Sequence, residues 1–158
     1  STLNRMNISP AVAADAPAIA VLVRQYESLL VIDPQHAAPF WESMSEQAHR
    51  ANLASSRFAY FAARVEERLV GYLAMRDGTH LFNLFVQPSW LRRGIATALW
   101  KLALQRVPAA GTAGITVNAS LNAVPVYLAL GFKEVGAKGQ QHGIAFVPML
   151  YSVTSDGA

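Results

Sequence analysis

Residues 80–107 read HLFNLFVQPSWLRRGIATALWKLALQRV, and this stretch decides the fold of the chain. The run Leu81–Val86 is short, apolar and rich in aromatic and branched residues, and Pro88 closes it, which is typical of a buried strand. From Ile95 the apolar residues recur at helical spacing, which predicts an amphipathic helix that extends to Val107. The sequence therefore predicts a strand that leads into a helix through the turn Arg92-Arg93-Gly94-Ile95-Ala96-Thr97.

This turn has the features of an anion-binding site. The first amides of a helix lack carbonyl partners, and the helix dipole adds positive potential at the same place. Gly94 lets a ligand approach the backbone, Ala96 keeps the next position small, and the guanidinium groups of Arg92 and Arg93 can donate to phosphate oxygens. We therefore expect a diphosphate to bind here. The alternative is an ordinary strand-to-helix connection whose glycine relieves backbone strain.

The composition is that of a compact globular protein. A chain of 158 residues can bury about 70% of its unfolded surface in one core, so we expect a single domain over residues 1–158. No apolar run approaches the roughly 18 residues that span a bilayer, and Asp15 and Pro17 interrupt the alanine-rich start. We therefore expect no membrane segment and a mature cytoplasmic protein.

The absence of cysteine limits the chemistry. It excludes disulfides, thiol nucleophiles and cysteine-containing zinc sites, so a thiol in the reaction has to come from a cofactor, and we expect no metal. The net charge of +3 is small, and Arg92-Arg93 is the one pair of adjacent basic residues. No nucleic-acid partner is therefore expected, and local attraction of one anionic ligand fits better.

The periodicity of the remaining segments predicts the order βααβββαβαββ, a mixed and mostly antiparallel sheet flanked by helices in the α+β class. Asp77-Gly78 between two strands indicates a hairpin, and Pro10 and Pro148 confine their strands to an edge or a bulge. The predicted strands are Ile8–Val12, Phe58–Val65, Arg68–Arg76, Leu81–Val86, Ile115–Val117, Lys133–Val135 and Ile144–Tyr151; the other predicted helices are Ala16–Leu30, Pro39–Arg50 and Asn122–Leu130.

A second informative region reads Val117-Asn118-Ala119-Ser120, then Ala123-Val124-Pro125-Val126-Tyr127, then Leu130-Gly131-Phe132. Together with the strand, turn and helix described above, it resembles the GNAT superfamily of acyl-CoA-dependent N-acyltransferases. The match is good from about His80 to Phe132 and fair as far as Tyr151. It implies a cofactor half over about residues 58–151 and acceptor-side helices over about residues 15–50.

The resemblance also implies roles for individual residues. The turn from Arg92 to Thr97 would hold the diphosphate of coenzyme A, and Phe85 and Val86 would present backbone groups to its pantetheine arm. Asn118 and Ser120 would add polar groups to the same arm, and Tyr127 would lie beside the sulfur. Family members often have a glycine at the position of Arg92, which contributes mainly backbone there.

Acetyl transfer to an amine needs a base and an acid, since a lysine-like amine has a pKa near 10.4 and the departing thiolate has to be protonated. Tyr127 is the candidate acid, with a purely structural aromatic residue as the alternative. Strand alternation places His80 on the face of Phe82, Leu84 and Val86, which makes it a candidate base. A solvated turn histidine, or a water chain through Asn83, remains open.

We interpret the chain as an N-acetyltransferase that moves acetyl directly from acetyl-CoA to a primary amine in a ternary complex, because no cysteine can form an acyl-enzyme. The expected acceptor is a small molecule or a peptide, and a homodimer stays open. An acceptor pocket could also be lined by residues on or near the first two helices, but a partly buried helix face explains them as well, and we assign them no role: Glu27, His36, Trp41 and His49. The alternative function is a non-catalytic coenzyme A binding or sensing module, because no carboxylate base lies on the strand from Leu81 to Val86.

Overall fold

The computed structural model describes residues 5–30, 32–106, 114–141 and 143–153; the predicted helix end at Val107 lies outside these ranges. None of the helices within them is long and apolar enough to cross a membrane. The elements in chain order are β1 (Met6–Pro10), α1 (Ala16–Arg24), α2 (Pro34–Ser43), α3 (Glu46–Ala54), β2 (Phe58–Val65), β3 (Arg68–Arg76), β4 (His80–Val86), α4 (Ile95–Arg106), β5 (Gly114–Ser120), α5 (Val124–Leu130), β6 (Lys133–Glu134), β7 (Gly139–Gln141) and β8 (Ile144–Ser152).

The strands form one sheet in the order β1-β2-β3-β4-β5-β8-β6, with β7 also paired to β8. Among the described residues, β4 and β5 are the one parallel pair. Helix α4 covers one face of the sheet, and α1 and α3 cover the other. The predicted α+β class, with a mostly antiparallel sheet flanked by helices, is confirmed.

Strands β4 and β5 separate soon after they meet. They pair only at His80 with Thr116 and at Leu81 with Val117, and both strands then continue without a partner on that side. The antiparallel pairing of β4 with β3 shifts in register at this point, so that Phe82 has no opposite residue. Such a bulge bends a strand and increases its twist. A cleft therefore opens between β4 and β5.

The bulge also changes which way the side chains of β4 face. Leu84 and Val86 pack into the core cluster beneath α4, whereas Phe82 packs into the cluster beneath α1 and α3. The prediction that His80 shares one face with Phe82, Leu84 and Val86 is therefore wrong, because it assumed uninterrupted alternation.

The acceptor-side helices are shorter and more numerous than predicted. Helix α1 ends at Arg24, and residues 25–29 form turns that carry Tyr26 towards the end of β4. The predicted helix Pro39–Arg50 is two helices, because Ser45 adopts an extended conformation and caps α3 through the amide of Ala48 at 3.1 Å. The helical spacing of apolar residues continues past Arg24 and past Ser45, so periodicity alone predicted one continuous helix at each place.

Two proline predictions have different outcomes. Pro10 lies on β1, an edge strand, as predicted. Pro148 lies on β8, which is interior, so it is not on an edge strand; the pairing opposite it is interrupted, because residues 135–138 face residues 147–148. Val135 donates to the carbonyl of Pro148 at 3.0 Å, and a strand residue directs its nitrogen to the same side as its oxygen. The missing N–H therefore faces the junction between β6 and β7, where no ladder bond is needed.

Candidate functional site

The turn before α4 leaves a run of backbone amides free. Within the described ranges, the N–H groups of residues 92–97 donate to no protein acceptor, and the first bond of the helix runs from Ala98 to the carbonyl of Gly94 at 3.0 Å. Arg92 and Gly94 have left-handed φ values of +63° and +81°. A Cβ built on Gly94 would meet no atom within 4 Å. These amides therefore border open space at a helix N-terminus, where an anion is favoured.

The side chains of the turn divide between the core and the solvent. Ile95 is buried beneath α4, which anchors the turn, whereas Arg92, Arg93 and Thr97 are exposed and Ala96 is half-buried. The Arg93 guanidinium lies over the ring of Trp90, with 4.8 Å to its centroid. Neither arginine pairs with a carboxylate in the described part of the chain. Two exposed cations and a row of free amides fit a diphosphate.

Backbone groups of β4 line one side of the cleft. Gln87 donates to Val70 at 2.8 Å, and hydrogen-bonded pairs alternate along an antiparallel ladder. The peptide groups of Phe85 therefore face β3, while those of Leu84 and Val86 face away from β3 towards the cleft. The backbone groups of Phe85, expected at the pantetheine arm, are therefore directed to β3 rather than to the cleft. The register of the two strands, which the sequence does not show, determines this.

Tyr26 reaches the same edge of β4 from the turns after α1. Its hydroxyl donates to the carbonyl of Val86 at 2.5 Å, and its ring lies 5.5 Å from that of Phe85. Sequence periodicity placed Tyr26 in the buried stripe of a longer helix, so this contact was not predicted. Tyr26 therefore joins the acceptor-side segment to the cleft wall.

Tyr127 lies on α5, which contacts β5, and its side chain belongs to the core cluster beneath α4. The helix ends at Gly131, whose φ of +104° suits a left-handed C-terminal cap, as predicted. Tyr127 is 6% exposed, and its ring packs edge-on against Phe132 at 5.4 Å. Burial raises the pKa of its phenol, which stays protonated at neutral pH. In the described ranges its hydroxyl has no hydrogen-bond partner, so it is available to a ligand.

Tyr72 and Asn83 form a buried polar pair on β3 and β4. The Tyr72 hydroxyl donates to Asn83 Oδ1 at 3.1 Å, and Asn83 Nδ2 donates to the carbonyl of Phe82 at 2.8 Å. Burial raises the pKa of Tyr72, and the charges of Tyr60 and Tyr127 raise it further. The two hydrogen bonds of the pair fix the side chain of Asn83.

His80 lies where the cleft begins. It occupies the first of the two paired positions between β4 and β5, and its Nδ1 is 2.8 Å from Oγ1 of Thr116. Burial lowers the pKa of His80, and the positive charge of Arg76 lowers it further. The imidazole is therefore neutral at pH 7 and can accept a proton.

The exposed face of β5 continues from Thr116. Val117 and Ala119 are buried in the core, so alternation places Asn118 and Ser120 on the same face as Thr116. The Ser120 hydroxyl donates to Asn122 Oδ1 at 3.0 Å at the start of the connection to α5. The structure thus brings the predicted polar residues of β5 to one face of the strand that borders the cleft.

The four residues on or near the acceptor-side helices differ in their burial and in their contacts. His49 is fully buried and pairs through Nδ1 with the hydroxyl of Tyr60 at 2.9 Å, so it belongs to the core. Glu27 is exposed and pairs with Arg24 at 3.2 Å, and Trp41 lies 4.1 Å from the guanidinium of the same arginine. His36 packs against Gly143, which connects α2 to the turn before β8.

Comparison with known proteins gives a family match over most of the chain. The sequence profile described as "Acetyltransferase (GNAT) domain" matches residues 28–153. An uncharacterized N-acetyltransferase of Escherichia coli strain K12, YafP, is 30% identical over 105 residues, which is 64% of this chain. The matched region spans 65% of that relative, just under two thirds of its length.

Solved structures share the fold. The PaiA N-acetyltransferase of Thermoplasma acidophilum, solved in complex with coenzyme A, has a TM-score of 0.80 at 14% identity, with 94% of this chain and 99% of that chain covered. A GCN5-related N-acetyltransferase from Rhodopseudomonas palustris has a TM-score of 0.76 at 21% identity, covering 93% and 95% of the two chains.

Proposed function

Because the chain belongs to the GNAT family of acetyltransferases, we propose that it transfers the acetyl group of acetyl-CoA to a primary amine in a ternary complex. The observation that carries this proposal is the run of free amides at residues 92–97, which opens at Gly94 onto unfilled space. The first amides of a helix have no carbonyl partners, and here two exposed arginines and the open space at Gly94 lie beside them.

The cofactor half, residues 58–151, would hold acetyl-CoA. The amides of residues 92–97 and the guanidinium groups of Arg92 and Arg93 would bind the diphosphate. Leu84 would pair with the pantetheine arm through its backbone groups and Val86 through its amide, since the Val86 carbonyl accepts the hydroxyl of Tyr26. Asn118 and Ser120 would lie opposite them. The coenzyme A bound to the PaiA structure supports this assignment by fold similarity.

Tyr127 would act as the general acid. Its phenol keeps its proton at neutral pH and has no competing hydrogen bond in the described residues. A donor in this position can protonate a thiolate as the C–S bond breaks. Because the chain has no cysteine to form an acyl-enzyme, direct attack of the amine on the thioester is the favoured route.

His80 would act as the base, with a water held by Asn83 as the competing route. The histidine is neutral at pH 7 and lies at the start of the cleft, whereas Asn83 is fixed by Tyr72 and has no charge to receive a proton. The acceptor would enter from the side of residues 15–50 and can be a small amine or a peptide. We propose that both halves form a single domain.

Binding of coenzyme A tests the proposed function at its first step. Calorimetry should detect a complex, and coenzyme A at 100 times its Kd should stabilise the folded chain by about 2.7 kcal/mol. That stabilisation corresponds to a rise in melting temperature of about 5–10 °C for a chain of this size. The phosphate-free fragment pantetheine should bind more weakly. An absence of heat and of any melting shift at millimolar coenzyme A would contradict the proposed function.

A further inference from the structure

The hydroxyl of Thr116 links the imidazole of His80 to the backbone carbonyl of Thr79. Nδ1 of His80 is 2.8 Å from Oγ1 of Thr116, and Oγ1 is 3.4 Å from the carbonyl of Thr79. The same carbonyl accepts the backbone amide of Thr116 at 2.9 Å. The hydroxyl of Thr116 therefore lies between an imidazole nitrogen and a carbonyl that can accept but never donate.

A hydroxyl has one proton, and its direction decides the tautomer of His80. If Oγ1–H donates to Thr79, then Oγ1 accepts from Nδ1–H and both contacts are hydrogen bonds. If Oγ1–H donates to Nδ1 instead, no proton lies between Oγ1 and the carbonyl of Thr79, and that hydrogen bond is lost. We infer that Thr116 is a positioning residue that holds His80 as the Nδ1–H tautomer and leaves Nε2 as a free proton acceptor.

This assignment rests on the proposed function and explains how a base can work without a carboxylate on β4. As the amine nitrogen forms its bond to the acetyl carbon, its proton passes to Nε2 of His80, and the C–S bond breaks with protonation of the sulfur by Tyr127. The resulting imidazolium keeps its Nδ1–H bond to Thr116. A base held by its second nitrogen needs no reorientation during the reaction.

The charges around His80 favour its neutral form before the reaction. Arg76 on β3 is its cross-strand partner and contributes a positive charge. Asp77 is the nearest acidic residue in sequence, but it pairs with Arg57 at 2.8 Å and lies within 3.9 Å of Arg76, so it is already neutralised. From β5 the neighbouring side chain is the uncharged Thr116. The imidazole is therefore ready to accept a proton at neutral pH.

The tautomer can be measured without turnover. ¹⁵N NMR of the histidine side chains in the full chain should show the proton of neutral His80 on Nδ1, with its resonance identified by its loss in His80→Gln. Thr116→Val should shift the population towards the Nε2–H form, and Thr116→Ser should restore the wild-type pattern. Because the Thr116 side chain is exposed, these variants should fold. A wild-type Nε2–H tautomer, or one that Thr116→Val leaves unchanged, would overturn the inference.

Kinetics with acetyl-CoA and an accepted amine provide the second readout. Thr116→Val should lower kcat about 10-fold, leave the Kd of coenzyme A unchanged and move the acid limb of the pH profile to lower pH, since the imidazolium loses an acceptor. Thr116→Ser should have the wild-type kcat, the wild-type Kd of coenzyme A and the wild-type pH profile. Wild-type kcat in Thr116→Val would also overturn the inference. A wild type that binds coenzyme A and shows Nδ1–H but acetylates no amine would instead contradict the proposed function alone.

Discussion

Tyr127→Phe should separate catalysis from stability. The substitution keeps the ring that packs against Phe132 and removes only the hydroxyl. Within the described ranges that hydroxyl makes no hydrogen bond, so the free energy of unfolding should change by less than about 1 kcal/mol. If the phenol protonates the thiolate, kcat should fall about 100-fold, which corresponds to about 2.7 kcal/mol of transition-state stabilisation.

The loss should appear in kcat and in kcat/KM together. The thiolate charge develops only as the C–S bond breaks, so the hydroxyl has little to bind in the ground state. The Kd of acetyl-CoA should therefore stay within a few-fold of the wild-type value. Steady-state kinetics, calorimetry with coenzyme A and thermal unfolding of the same preparations supply the three quantities.

Tyr60→Phe is the matched control, because it removes another buried phenol, on β2 rather than on α5. The hydroxyl of Tyr60 pairs with His49 at 2.9 Å and with Asn52 at 3.2 Å, on the face covered by α3. Its loss leaves both partners unsatisfied and should cost about 1–3 kcal/mol of stability, or about 2–4 °C in melting temperature for each kcal/mol. Its kcat should stay near the wild-type value.

Tyr127→Phe should thus lower kcat and leave the free energy of unfolding nearly unchanged, whereas Tyr60→Phe should do the reverse. A Tyr127→Phe protein with nearly wild-type kcat would refute the acid role and leave protonation of the thiolate to solvent. One that loses coenzyme A binding while its stability is unchanged would show that the phenol holds the ligand rather than protonating the sulfur.

Three further outcomes follow from the geometry. Arg93→Glu should weaken coenzyme A far more than pantetheine in parallel titrations, because the reversed charge opposes only the phosphates; equal weakening would place the phosphates elsewhere. Gly94→Val should abolish detectable coenzyme A binding by calorimetry while costing about 1–2 kcal/mol of stability, since φ is +81° and the new side chain enters open space; retained affinity would exclude this turn as the binding site. Burial lowers the pKa of His49 to about 4, so between pH 6.5 and pH 4 the unfolded chain binds a proton that the native chain does not. Denaturant titrations should therefore show the free energy of unfolding falling by up to about 3 kcal/mol over this range. His49→Phe should show a smaller decline, and an equal decline would exclude His49 as its source.

The parts of the fold that depend on local sequence were predictable. The strands Phe58–Val65 and Arg68–Arg76 have the predicted bounds, because the turns at Glu66-Glu67 and Asp77-Gly78 adopt left-handed φ values that fix the hairpins. The helix after the turn at residues 92–94 begins at Ile95 for the same reason, since Gly94 supplies the conformation and the helical repeat starts at once.

The missed features depend on contacts between distant segments. The bulge at Phe82 arises from the pairing of β4 with β3, and no residue type marks it in the sequence. Tyr26 and Thr116 reach the site from elements far from β4 in the chain, through Val86 and His80. Periodicity identifies a buried face but cannot tell a strand's register or the partner of a polar group.

The most direct test is to incubate the chain with acetyl-CoA, with and without a broad panel of amines, and to measure both free thiol and acetylated amine. We predict that thiol appears only when an accepted amine is present and in an amount equal to the acetylated product. Thiol released equally without any amine would identify a hydrolase. Saturable coenzyme A binding with no thiol release for any amine would identify a binding module and contradict the assignment as an acetyltransferase.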